Sequence, residues 1–207
     1  MTTRAPRRDA VENRAGILSA ARATLATDPY ASIDVIARSA GLSRRTLYGH
    51  FDDRDALIRE LISSGAQRFN AIAASVDDPD PRLALARLAA QLWREAAHVQ
   101  VAAALALDEA HVEHTAAALA PLRRTVTELV RRGQEEGGFR TDLAAPTLAR
   151  LIEEIARTVV ARTDASRSGA ADLVVRTLLS VAGLSWREVD ALLAEHPVIT
   201  GLDEEAA

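Results

Sequence analysis

The sequence predicts an all-α chain, with an N-terminal three-helix domain followed by a C-terminal helical bundle. The 207 residues are 48% hydrophobic but only 3% aromatic, and alanine and leucine dominate. Such a composition favours helices over strands. A local observation adds the organisation: two short apolar-periodic segments flank Ala40-Gly41-Leu42. Two helices joined by a glycine turn are typical of a helix-turn-helix.

The turn between these segments carries its own signals. Gly41 can adopt the left-handed backbone that ends a helix. Ser32 and Ser43 stand where the two helices would begin, and a serine hydroxyl there accepts a hydrogen bond from an amide one turn on. Apolar residues before the turn recur at i, i+3 and i+4, which predicts one buried helical face. They are Ile33, Ile36 and Ala37.

The second of these helices is unusually polar. With Leu47 facing the core, a helical projection places Arg45 nearly opposite and Arg44 to one side, so both arginines point outward. A recognition helix contacts bases from its N-terminal end, where arginine pairs bidentately with guanine. A solvated basic surface is the alternative, but two arginines directly after a glycine turn favour DNA reading. Other polar side chains accompany them: Thr46, Tyr48 and His50.

The run IARSAGLSRRTLYGHFDDRDALI, residues 36–58, resembles the TetR family of transcriptional regulators. The shared pattern is an Ile-Ala pair, Ala-Gly-hydrophobic-Ser, Thr-hydrophobic-Tyr, His-Phe and then a basic residue before an apolar helix. Two positions depart from it. Arg54 stands where lysine is usual, and Pro29-Tyr30 stands where glycine is frequent. Arg54 keeps the charge, so a phosphate contact is still expected, whereas the loop before Ser32 is expected to differ in shape.

The resemblance implies a sequence-specific, homodimeric transcriptional regulator, most often a repressor that a small molecule releases from a near-palindromic operator. Arg44 and Arg45 are then expected to read bases. The helices around 146–162 and 170–183 are expected to form the dimer interface. Residues expected to position the DNA backbone are Ser32, Ser43, Thr46, Tyr48, His50 and Arg54. Apolar residues chosen as a provisional lining for the ligand cavity are Phe69, Trp93, Val101, Leu105, Leu122 and Val126.

The predicted organisation has four parts. Residues 1–8 form a flexible arm, 9–51 the helix-turn-helix DNA-binding domain, 53–200 the ligand-binding and dimerisation domain, and 201–207 an acidic tail. Three arginines in the arm either contact phosphates or belong to an inert tail. Within the long helix after residue 53, Ser63-Ser64-Gly65 groups poor helix formers and marks either a hinge or a small-residue packing contact.

Charge and composition limit the function classes. The net charge is −4, yet residues 1–60 hold ten arginines against eight acidic residues, so a small basic excess coincides with the motif. The chain has no cysteine, which excludes disulfides and thiolate chemistry. No apolar region follows the N-terminal arginines as in a signal peptide, and no apolar run approaches membrane-spanning length. We therefore expect a cytoplasmic protein.

Two alternatives from other classes stay open. His98, His111 and His114, with nearby acidic residues, allow a metal-responsive regulator, although a polar cluster on a soluble helix is the more common explanation. A helical nucleoid-associated protein would bind DNA with little sequence preference. Catalysis is not expected, because no phosphate loop and no G-x-S-x-G or H-E-x-x-H motif is present. We expect no cofactor.

Overall fold

The chain was analysed as a computed structural model that describes residues 5–98, 109–163 and 169–199. These residues form ten α-helices and contain no β-strand, which confirms the predicted all-α class. Two short 3-10 turns, Glu109–His111 and Pro197–Ile199, accompany them. The helices are α1 (Ala5–Thr27), α2 (Ile33–Ser39), α3 (Arg44–Tyr48), α4 (Arg54–Ser75), α5 (Pro81–His98), α6 (Val112–Ala118), α7 (Ala120–Glu135), α8 (Ala145–Arg162), α9 (Ala170–Ala182) and α10 (Trp186–Glu195).

The chain divides into two compact units, and the boundary falls inside α4, between Ala66 and Gln67. Of the described residues, the first unit contains 5–66 and 109–118. The second unit contains 67–98, 119–163 and 169–199. The boundary directly follows Ser63-Ser64-Gly65, but α4 is continuous there, so the hinge stays a prediction. The predicted acidic tail, 201–207, lies outside the described residues.

The first helix begins earlier than the sequence predicts. Residues 5–8, expected in a flexible arm, already belong to α1. Alanine and arginine are good helix formers, and Pro6 falls in the first turn, where proline costs little. Arg7 and Arg8 therefore lie within the helix, and Arg4 lies outside the described residues.

The helix-turn-helix forms as the local signals predict. Gly41 has φ +67°, the left-handed backbone that ends α2, and the Leu42 amide donates to the Ala37 carbonyl at 2.9 Å. The Ser32 hydroxyl accepts from the Val35 amide at 3.4 Å and caps α2. The helix α2 is therefore held at both ends by groups within a few residues along the chain.

The first unit has its own hydrophobic core, shared by α1, α2, α3 and α4. It continues past residue 51, the predicted end of the DNA-binding domain, because Leu57 and Leu61 of α4 pack into it. The core places Leu47 of α3 at zero exposure and so fixes which side of this five-residue helix faces outward. Its buried members are Ile17, Ala21, Leu25, Ala31, Ile33, Ile36, Ala37, Leu47, Phe51, Leu57 and Leu61.

The second unit is a helical bundle with a separate core. In it α5 packs against α9, α7 packs against α8, and α8 packs against α9. A close approach occurs at Gly133 of α7, where a Cβ would lie 2.1 Å from the Phe139 ring. Side chains cap two of its helix starts: the Arg82 amide donates to Asp80 at 2.8 Å, and Ser185 and Glu188 form a capping box. None of the described helices is both long and apolar enough to cross a membrane.

Candidate nucleic-acid interface

Arg44 is the first residue of α3 and is held by two neighbours. Its Nη1 lies 3.1 Å from Oδ2 of Asp34 on α2. Its guanidinium carbon lies 5.4 Å from the centre of the Tyr48 ring, one turn along α3. The pKa of Arg44 is raised, mainly by a hydrogen bond with the Tyr48 side chain and next by the negative charge of Asp34. We call Asp34, Arg44 and Tyr48 the Arg44 cluster.

Arg45 is exposed beside this cluster and differs from Arg44. It makes no ion pair and no ring contact within the part of the chain that the structure describes. Both arginines occupy the exposed side of α3, and Leu47 is buried beneath them. The start of α3 therefore presents one restrained and one unrestrained guanidinium.

Ser43 and Thr46 form the N-terminal cap of α3. The Thr46 amide donates to Ser43 Oγ at 3.1 Å, and the two hydroxyls lie 2.8 Å apart. Both side chains reach the surface at the end of the helix that carries the arginines. A hydroxyl that already caps a helix keeps a lone pair or its proton for a further partner.

Arg54 at the start of α4 binds the loop that precedes α2. Its Nε donates to the Ala31 carbonyl at 3.0 Å, and its Nη2 donates to the Pro29 carbonyl at 2.6 Å. The two departures from the family pattern, Arg54 and Pro29-Tyr30, are therefore in direct contact. A cation opposes the helix dipole at this position, and the two carbonyl oxygens account for its presence without a phosphate.

His50 is reached by a residue that the sequence analysis missed. The Nη1 of Arg14 on α1 donates to the His50 carbonyl at 3.1 Å, and its guanidinium carbon lies 4.5 Å from the centre of the Phe51 ring. Arg14 Nη2 also lies 3.4 Å from the carboxylate of Glu60. Arg14 therefore holds the turn between α3 and α4. No local pattern marks it, because its partners lie more than 30 positions away.

Comparison with known protein families identifies this region. The family described as bacterial regulatory proteins, tetR family, matches residues 17–61. This match covers the helix-turn-helix together with the second half of α1 and the first part of α4. Residues 17–61 therefore contain a TetR-family DNA-binding domain. Proteins of this family are generally DNA-binding regulators rather than enzymes, and no curated protein sequence matches the chain.

Solved structures of TetR-family regulators share the fold beyond the matched region. The regulator PfmR from Thermus thermophilus has a TM-score of 0.71 at 19% identity, over 82% of this chain and 98% of that one. The fatty acid degradation regulator FadR from Bacillus halodurans has a TM-score of 0.70 at 20% identity, over 83% and 96%. KstR2 of Mycobacterium tuberculosis, a ketosteroid transcriptional regulator, has a TM-score of 0.66 at 21% identity, over 82% and 92%.

Two of the histidines considered for a metal site, His111 and His114, contact other protein groups. His111 is buried, and its Nε2 lies 3.5 Å from Asp55 Oδ1. His114 Nε2 lies 2.9 Å from Ser63 Oγ and 3.1 Å from the Arg59 carbonyl. The described side chains, which exclude that of His98, include no group of three or more residues that could hold a metal ion. Neither the metal-responsive nor the nucleoid alternative is supported.

The residues chosen provisionally for the ligand do not assemble into a described cavity. Trp93 and Val126 are buried in the core of the second unit, Phe69 and Leu122 are half-buried, and Val101 and Leu105 lie outside the described residues. An open cleft of about 420 Å³ does lie in the second unit, but other residues line it. They are Val76, Ala84, Leu88, Arg124, Thr125, Glu128, Leu129 and Arg132. The predicted pocket stays a prediction.

Proposed function

We propose that this TetR-family regulator is a homodimeric repressor that reads a near-palindromic operator and leaves it when a small molecule binds the second unit. The observation that carries the proposal is the exposed pair Arg44 and Arg45 at the start of α3, directly after the helix-turn-helix turn. A bacterial regulator of this kind acts on chromosomal DNA, so we assign it to the cytoplasm.

In this proposal, Arg44 and Arg45 read the bases. Each presents N–H donors in the fork that matches O6 and N7 of guanine, and each such pair contributes about 1–3 kcal/mol of discrimination. Ser43, Thr46 and Tyr48 are at least partly exposed along α3, from its cap to its last residue, and would contact phosphates. Ser32, which caps the N-terminus of α2, and His50, from the His-Phe pair of the family pattern, are also assigned to phosphate contacts.

Arg54 has a more indirect role in the proposal than a phosphate contact. Two of its N–H groups are already bonded to the loop carbonyls of Pro29 and Ala31. That loop leads directly into Ser32 and α2. Arg54 therefore positions the entry to the helix-turn-helix, and its charge adds attraction for the DNA backbone.

The dimer is proposed to form through α8 and α9. Leu151 of α8 is 42% exposed and Leu173 of α9 is 49% exposed, although both helices also pack into the core of the second unit. A helix that is apolar on more than one face must bury more than one face. A two-fold dimer presents its recognition helices to half-sites about 34–36 Å apart, or a multiple of this spacing, hence a near-palindromic operator.

Release by a small molecule requires unequal affinity for two conformations. A ligand that binds both equally well shifts nothing. The cleft has apolar lining from Val76, Leu88 and Leu129, and the charged side chains of Arg124, Glu128 and Arg132 also line it. Its volume of about 420 Å³ lies within the range of small-molecule sites. This supports an effector site in the second unit without naming the effector.

A selection of bound DNA from random and genomic fragments, at near-physiological salt, tests the proposal. The purified full-length protein should enrich one near-palindromic sequence, and the Arg44→Ala/Arg45→Ala variant should not. Binding without any enriched sequence would refute the proposed sequence-specific repressor. The enriched operator then serves to screen small molecules for release.

A further inference from the structure

The two arginines of α3 are held differently, and the difference originates in α2. Arg44 is bonded to Asp34, whereas Arg45 has no ion pair within the described residues. We propose that Asp34 is a specificity-determining residue, which positions Arg44 for one base and keeps it away from phosphates. This inference rests on the proposed function, because it assumes that Arg44 reads a base.

Burial shows which member of the ion pair is anchored. The side chain of Asp34 is 37% exposed, and that of Arg44 is 67% exposed. Asp34 lies on α2 between Ile33 and Ile36, which are both buried in the core of the first unit. The core therefore fixes the carboxylate, while the long side chain of Arg44 would otherwise be free to move. Asp34 positions Arg44, and not the reverse.

The ion pair orients Arg44 without using up its donors. A guanidinium carries five N–H groups, and bidentate pairing with guanine requires only two. Asp34 pairs with Nη1, and the centre of the Tyr48 ring lies 5.4 Å from the guanidinium carbon. A side chain in contact with two neighbours samples fewer rotamers, so it loses less conformational entropy when it binds a base.

The negative charge of Asp34 also weakens binding to DNA of unrelated sequence. A carboxylate near DNA repels phosphates, and here it compensates the charge of an arginine that would otherwise attract any sequence. The Oδ1 atom of Asp34 is buried and has no hydrogen-bond partner among the described residues, which is unfavourable by itself. An acidic residue in the first turn of a helix favours the helix dipole, but this does not require pairing with Arg44.

Full-length protein and its selected operator provide the test. Asp34→Asn, Arg44→Ala and the double variant are compared on the operator, on operators with single guanine replacements, and on unrelated DNA at several salt concentrations. Asp34→Asn should lose discrimination at the guanine that Arg44→Ala identifies, on the order of ten-fold. Binding to unrelated DNA should strengthen, and its log–log salt dependence should steepen by up to about one unit as Arg44 reaches a phosphate.

Asp52→Asn is the matched control, because Asp52 is an exposed acidic residue of the same unit with no ion pair among the described residues. In the Arg44→Ala background, Asp34→Asn should change discrimination no further. The inference is overturned if Asp34→Asn behaves like Asp52→Asn, weakens all sequences equally, or adds its full effect to Arg44→Ala. Absence of any sequence preference in the unmodified protein would refute the proposed function itself, before any variant is made.

Discussion

The start of α3 and the second unit hold their functional candidates in different ways. In the first unit, exposed polar side chains are fixed by specific partners, as Asp34 fixes Arg44 and the Pro29 carbonyl binds Arg54. In the second unit, Trp93 and Val126 were suggested for ligand binding. Both pack in the hydrophobic core. The proposed DNA-reading site therefore lies on the surface of a completed core, whereas Trp93 and Val126 belong to the core itself.

A substitution in either core should cause the largest loss of stability, and each core can be tested separately. Leu47→Ala removes a fully buried side chain of the first unit, and Leu148→Ala removes one of the second. Each should cost about 2–5 kcal/mol of stability. Leu47→Ala should abolish operator binding but leave a dimer, whereas Leu148→Ala should weaken the dimer. Circular dichroism with sedimentation measures both, and identical losses in the two variants would show that the units are not independent.

A smaller loss of stability is expected where Gly133 of α7 contacts the Phe139 ring. Gly133→Ala places a Cβ 2.1 Å from the buried Phe139 ring, so the ring must move. Overpacking of this kind costs about 1–3 kcal/mol, even though alanine is the better helix former. Gly138→Ala is the control, because its Cβ would lie 3.5 Å from the nearest atom. Thermal unfolding should separate the two variants, and equal midpoints would contradict the described packing.

In the first unit, Arg54→Lys tests the hydrogen bonds between α4 and the loop that precedes α2. Lysine keeps the charge but offers all its donors from one nitrogen, so it does not reproduce the separate Nε and Nη2 bonds to Ala31 and Pro29. We expect stability and operator affinity to fall together by about 1 kcal/mol, the typical contribution of a hydrogen bond. Arg59→Lys is the control, since its exposed pair with Asp55 needs only one donor. Unchanged binding in Arg54→Lys would show that the loop does not depend on this fork.

The smallest effect concerns the cap of α5 in the second unit. A hydrogen bond from Arg82 lowers the pKa of Asp80 below its ordinary value. Because the pKa is lower in the folded state, the added stability is present above the ordinary value and is lost as pH falls through the lowered pKa. Asp80→Asn keeps the capping acceptor but removes the negative charge. The free energy of unfolding should therefore fall by only about 0.2–1 kcal/mol near neutral pH, the contribution of the ion pair with Arg82. Urea unfolding at neutral and acid pH measures this, and a difference that persists in acid would contradict the assignment.

Residues with partners close in sequence could be predicted, and residues with distant partners could not. Gly41, Ser32 and Ser43 act on backbone groups within a few positions, so residue type and spacing sufficed. The bonds from Arg14 to His50 and from Arg54 to Pro29 span 36 and 25 positions. Only the fold brings these groups together.

The start of α1 and the ligand cavity illustrate two further limits. Residues 5–8 were expected to form a flexible arm because of their charge and proline, but intrinsic helix propensity extends α1 to Ala5. Apolar residues at helical spacing, such as Trp93, indicate burial without showing whether they face a cavity or a neighbouring helix. A ligand site therefore cannot be located from periodicity alone.

The exposed arginines of α3 are proposed to read specific bases. Arg45→Ala tests this role most directly, because Arg45 has no ion pair among the described residues whose loss would confuse the result. Binding is measured on the selected operator and on a set of operators with each guanine replaced in turn. We predict that Arg45→Ala loses about 1–3 kcal/mol of discrimination at one guanine in each half-site and keeps it at the others. Equal weakening on every sequence would contradict base reading and reduce Arg45 to a phosphate contact.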